Sequence, residues 1–112
     1  MLRAQIESFP VAGHFTIARG SRTEARVIRV EIERDGVIGS GECVPYARYG
    51  ETPEATLQTI LDQGPALAAG LDRTGLQATL PPGAARNGLD CAFWALEARL
   101  AGRDVAALAG LD

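Results

Sequence analysis

Residues 26–43 read RVIRVEIERDGVIGSGEC, and the fold turns on how this stretch is read. Ile28, Val30 and Ile32 alternate with Arg29, Glu31 and Glu33, the period of a strand with one buried face and one wet face. Asp35-Gly36 follows. It is a two-residue hairpin signal, because both residue types tolerate the left-handed backbone of such a turn. Pairing Arg34 with Val37 sets the register of the returning strand, with Gly39 opposite Ile32, Gly41 opposite Val30 and Cys43 opposite Ile28. Glu42 then faces Arg29, which predicts a cross-strand ion pair. Two glycines fall on the same face as three branched residues. Glycine weakens a strand, so this face is expected to admit the close approach of another body.

Upstream, Leu2, Ala4 and Ile6 alternate with Arg3, Gln5 and Glu7 over residues 2–8, predicting a first strand. Downstream the period changes. Thr52-Pro53 has the form of an N-cap followed by proline at the first helical position; Leu57, Ile60 and Leu61 supply the apolar stripe, and Gly64-Pro65 ends the segment. Asp72 is placed to cap a short helix carrying Leu76 and Leu80, stopped by Pro81-Pro82-Gly83. The last segment, AARNGLDCAFWALEARLAG, is the most helical. Ala85, Leu89, Phe93, Leu96 and Leu100 share a face, Cys91, Trp94, Ala95 and Ala98 spread over the rest, and only Arg86, Asn87, Asp90 and Glu97 make a polar sector. A helix so apolar around its circumference is expected to be buried on more than one side. Strands first and helices afterwards give an α+β domain.

Composition limits what such a domain does. A chain of 112 residues is one domain's worth. A net charge of −3 gives no basic stripe for nucleic acid or an anionic membrane, and no apolar run approaches a membrane span. The N-terminus MLRAQIESFP lacks a signal-peptide core, so the expected location is cytoplasmic. Cys43 and Cys91 lie far apart without zinc-site spacing and are expected to be reduced, packed thiols. All 11 basic residues are arginine, so no lysine of this chain can serve as a base or Schiff-base former.

Each candidate site has a competing structural role. Gly39 and Gly41 suggest a dinucleotide loop, but Val44 occupies the place of the third glycine and Glu42 would repel phosphate. His14, the one histidine, has no cysteine or carboxylate neighbour and reads as a surface residue. Asp90 and Glu97 lie seven apart on one helical side; hydrogen bonding or exposure accounts for them better than acid–base chemistry. Two loops remain, HFTIARGSRTEAR with Arg19 and Arg22, and VPYARYG with Tyr46, Arg48 and Tyr49. Guanidinium groups grip both oxygens of a carboxylate, and tyrosines supply apolar walls with a polar tip. A solvated surface without a ligand is the alternative.

Three separated blocks occur in a telling order: FTIARGSRTEARVIRVEI, GSGECVPYARYGET and AARNGLDCAFWALEARL. Over nearly the whole chain they resemble the N-terminal capping domain of the enolase superfamily, muconate-lactonizing subgroup, and within it the dipeptide epimerases acting on L-Ala-D/L-Glu. The resemblance implies a three-stranded antiparallel meander followed by a small helical bundle that closes over a β/α barrel. It implies that residues 1–112 are a capping domain truncated before that barrel, at AALAGLD. The two loops would then select an acidic dipeptide substrate, with Arg19 the first choice for its carboxylate, Arg22 and Arg48 the alternatives, and Phe15, Tyr46 and Tyr49 shaping the pocket. The family reaction, abstraction of a proton alpha to a carboxylate with Mg²⁺ stabilising the enediolate, uses lysines and acidic metal ligands of the barrel, so the chain alone is expected to be inactive and metal-free. On this view Gly39, Gly41 and the second apolar side of the Trp94 helix pack on the missing barrel. Departures from the family pattern fall at Phe93, Ala95, Asp104 and Ala109. A homo-oligomer, a stand-alone binding module and a cap that partners a separate barrel chain are the other arrangements left open.

Overall fold

The computed structural model describes residues 1–10, 24–46 and 50–102. Three strands, β1 (Leu2–Pro10), β2 (Glu24–Arg34) and β3 (Val37–Cys43), form one antiparallel sheet in the order β1-β2-β3. Four helices follow: α1 (Pro53–Leu61), α2 (Gly64–Ala68), α3 (Arg73–Thr79) and α4 (Ala84–Ala101). The domain is α+β, a meander followed by helices. The hairpin has the expected register, Ile32 with Gly39, Val30 with Gly41 and Ile28 with Cys43. Its turn holds Asp35 at φ 52° and Gly36 at φ 76°, the two positive values of a twist-matched two-residue turn. The expected Arg29–Glu42 ion pair does not form. Arg29 reaches along its own strand to Glu31 at 3.9 Å, and Arg3 joins the same carboxylate across the sheet at 3.4 Å. The shared face of i and i+2 residues in a strand makes that alternative available.

Ile28, Val30 and Ile32 are fully enclosed and meet Leu89, Ala92, Phe93 and Leu96 of α4, with Ile60 and Leu76 completing the core. The body that approaches the strand glycines is α4 itself, which corrects the assignment of that approach to a barrel. A Cβ at Gly41 would lie 2.6 Å from the Gly88 carbonyl oxygen and 2.7 Å from the Ala92 amide nitrogen, and one at Gly39 would collide with Ala92 and Leu96. Gly88 answers from the helix side. Its own Cβ would stand 3.0 Å from Cys43 Sγ and 3.3 Å from Val30 Cγ2. Helix and sheet therefore meet at backbone distance, which a side chain at Gly39 or Gly41 would prevent and one at Gly88 would crowd.

The second side of α4 is covered in part by α3, again within the chain. Arg73 stacks over the half-buried Trp94 ring at 3.6 Å from its centroid and donates to both Glu97 oxygens at 2.9 and 3.2 Å. Asp90 accepts from Gln77 at 3.2 Å, so neither carboxylate of the polar sector is held for acid–base chemistry. Leu100 is exposed, as is Cys91, whereas Cys43 is buried; both thiols are free. The N-caps are as the sequence reads them: Thr52 Oγ1 accepts from Ala55 N at 3.1 Å and Asp72 Oδ1 from Gly75 N at 2.8 Å. Pro65 ends one helix but opens another, α2, where its missing N–H costs nothing. On α1 the enclosed residues are Thr56 and Ile60, while Leu61 faces solvent.

Candidate functional site

The connection from Val44 to Gly50 leaves β3 at the end of the sheet where α4 begins. Val44 and Tyr46 are both exposed. One residue closes it. The Glu51 amide donates to the Tyr46 carbonyl at 3.1 Å, and the Tyr46 amide donates back to Glu51 Oε1 at 2.9 Å. The other carboxylate oxygen, Oε2, accepts from the Ala84 amide at 2.9 Å, on the first residue of α4.

Helix α4 lacks a cap of its own. Its N-cap is Gly83, without a side chain to accept, and its first turn carries no acid. Glu51 supplies both from a distant point in the chain, an acceptor for an orphan N–H and a negative charge at the positive end of the helix. The two amides, Ala84 first and Tyr46 second, hold the Glu51 carboxyl below its ordinary value. Its charge is felt at Cys43, whose thiol is pushed up to about 11 by burial first, then by Glu51 and Cys91, against a smaller downward pull from a Gly88 backbone hydrogen bond.

Two shallow depressions flank this clamp. One, of about 450 Å³, is lined by Val44, Tyr46, Glu51, Pro82, Gly83 and Asn87 among others; the other, of about 240 Å³, runs between α1 and α4 past Thr59 and Arg86. Arg86 donates to the Leu80 carbonyl at 3.3 Å. Tyr46 thus stands on the rim of a concave surface. Of the other residues predicted to face substrate, Phe15, Arg19, Arg22, Arg48 and Tyr49 lie outside the described residues, as does His14. Among the described residues no group of three or more His, Cys, Asp or Glu side chains gathers to hold a metal ion. No described helix is long and apolar enough to cross a membrane. Glu51 carries no assigned role in the sequence reading, although it sits within the stretch that does. Its partners lie 5 and 33 residues away, and the one local sign is an acid next to a loop glycine, ahead of a helix that begins at glycine without a cap.

Comparison with known proteins gives this geometry a family. The model of the mandelate racemase / muconate lactonizing enzyme N-terminal domain matches residues 3–110. The L-Ala-D/L-Glu epimerase of Escherichia coli K12 is 50% identical over 105 residues, which are 94% of this chain and 33% of that protein. An N-acetyl-D-glutamate racemase of a Pseudoalteromonas species is 43% identical over 70 residues, 61% of this chain and 22% of its own length. Among solved structures, an enolase family member from Agrobacterium tumefaciens with homology to dipeptide epimerases, bound to sodium and L-Ala-L-Glu, superposes with a TM-score of 0.88 at 48% identity over 96% of this chain and 33% of its own. An L-Ala-D/L-Glu epimerase gives 0.89 at 44% identity over all of this chain and 33% of its own. The chain spans about a third of the length of the Escherichia coli epimerase and of both solved relatives. With one family model covering nearly all of it, and the sheet, helices and glycine-mediated packing described above, the chain belongs to the mandelate racemase / muconate lactonizing enzyme N-terminal domain family of the enolase superfamily.

Proposed function

We propose that residues 1–112 form the capping domain of a dipeptide epimerase and that its role is to select an acidic dipeptide of the L-Ala-D/L-Glu type. The observation that carries the reading is the 48% identity, at a TM-score of 0.88, to an enolase family member whose structure contains L-Ala-L-Glu. Arg19 takes the substrate carboxylate in this reading, with Arg22 and Arg48 as alternatives, because a guanidinium matches both oxygens of the group. Phe15, Tyr46 and Tyr49 wall the side chain of the dipeptide. The bases that move the alpha proton belong to a barrel beyond these residues, since a chain without lysine has no amine side chain for the task. The Mg²⁺ of the family reaction is likewise left to that barrel.

The test is proton exchange at the alpha carbon, followed by deuterium incorporation from D₂O into L-Ala-L-Glu. The full-length protein is expected to incorporate label and invert the Glu centre, and the 112-residue chain to do neither. Label incorporated by the 112-residue chain alone would overturn the capping role, and no incorporation by the full-length protein from any acidic dipeptide would overturn the epimerase reading.

A further inference from the structure

The Glu51 carboxylate does two things at once. Oε1 holds the Tyr46 amide and Oε2 the Ala84 amide, each at 2.9 Å, while the Glu51 amide returns a bond to the Tyr46 carbonyl. An ionised carboxylate offers one acceptor oxygen to each of these donors. A carboxamide has a single acceptor oxygen, and its NH₂ would face an N–H. The rest of the anchorage is rigid, because Ala84 opens the helix that the glycines lock to the sheet, and Ala84 itself is buried. Tyr46, by contrast, is exposed on the rim of the groove.

We propose that Glu51 is a positioning residue for substrate selection: it ties Tyr46 to the N-terminus of α4 and thereby sets which substrates are held, without touching substrate itself. This rests on the functional reading above, in which Tyr46 shapes the pocket. A residue of this kind changes how well the right substrate is held more than how fast it reacts once held.

The experiment uses Glu51→Gln in the full-length protein, nearly isosteric and short of one acceptor, with Asp72→Ala as the control. Asp72 caps α3 through the same kind of bond but lies away from the loop. Amide hydrogen exchange is followed in the peptides containing Tyr46 and Ala84, and KM and kcat are measured for an acidic and a neutral dipeptide. In Glu51→Gln, exchange at one or both amides is expected to quicken by about tenfold, the loss of one hydrogen bond. KM for the acidic dipeptide is expected to rise several-fold with kcat within about twofold, narrowing the preference over the neutral dipeptide. Asp72→Ala is expected to lower Tm and leave both readouts in place. Unchanged exchange at both amides overturns the clamp. Faster exchange with an unchanged KM ratio, or the same KM change in Asp72→Ala, overturns the positioning role. A parent protein that turns over no acidic dipeptide fails the functional reading and with it the link to selection, while the exchange result still decides the clamp.

Discussion

Gly41 and Glu51 both meet backbone groups of α4. At Gly41 the obstacle to a side chain is backbone, the Gly88 carbonyl and the Ala92 amide, which cannot swing aside as a side-chain tip can. Gly41→Ala is expected to lower unfolding stability by about 2–3 kcal/mol or more in urea titration, the upper range for overpacking. Gly36→Ala, in open space with φ 76°, is expected to cost about 1 kcal/mol through the backbone alone. Glu51 gives a pH signature of definite sign. Its folded value lies below the 4.5 of a free carboxyl, so its contribution is present in full above about that pH and is lost as pH falls through the depressed folded value. Arg86 lines the adjoining depression, and the neighbouring Cys43 thiol stays neutral throughout this range. Chemical denaturation between pH 6 and pH 3 is expected to show a smaller loss in Glu51→Gln than in the parent; equal losses would remove Glu51 from the account.

Among the elements, the hairpin was the most legible and the helix faces the least. Alternation, an Asp-Gly turn and the resulting register follow from local chemistry, so Ile32–Gly39 and Val30–Gly41 could be written down from residues 26–43. The same holds for the caps at Thr52 and Asp72, which bond amides three residues ahead. Asp72→Ala is expected to destabilise by about 1 kcal/mol in thermal unfolding, as N-cap removals do. What lay beyond sequence was the identity of long-range partners. Glycines on a strand announce a close neighbour but not which one, and here it is α4 rather than another domain. Of the stripe Leu57, Ile60 and Leu61, Ile60 is enclosed and Leu57 packs partly buried against the core, but Leu61 faces solvent and Thr56 is covered in its place. The polar sector of α4 proved structural: Arg73 arrives from α3 to meet Glu97 and Trp94.

At the level of the whole molecule, the family could be read from three sequence blocks, while most of the candidate site could not be placed on the fold. Of six residues expected to face substrate, Tyr46 falls among the described residues, and the other five do not. The functional reading is therefore best tested by charge. Arg19→Ala in the full-length protein is expected to raise KM for an acidic dipeptide by about tenfold or more, the loss of one charge-assisted pair, and to leave KM for a neutral dipeptide nearly unchanged. Equal increases for both would remove Arg19 from carboxylate recognition. The interlock of Gly39, Gly41 and Gly88 has a further consequence for how such a domain diversifies. It separates the ruler from the pointer: α4 is fixed at backbone precision by residues without side chains, and Glu51 transfers that precision to Tyr46. Selectivity can then drift by substitution at positions such as 46, 48 and 49 with the measuring frame intact, so related chains of different substrate preference should vary there and keep the three glycines and the acid.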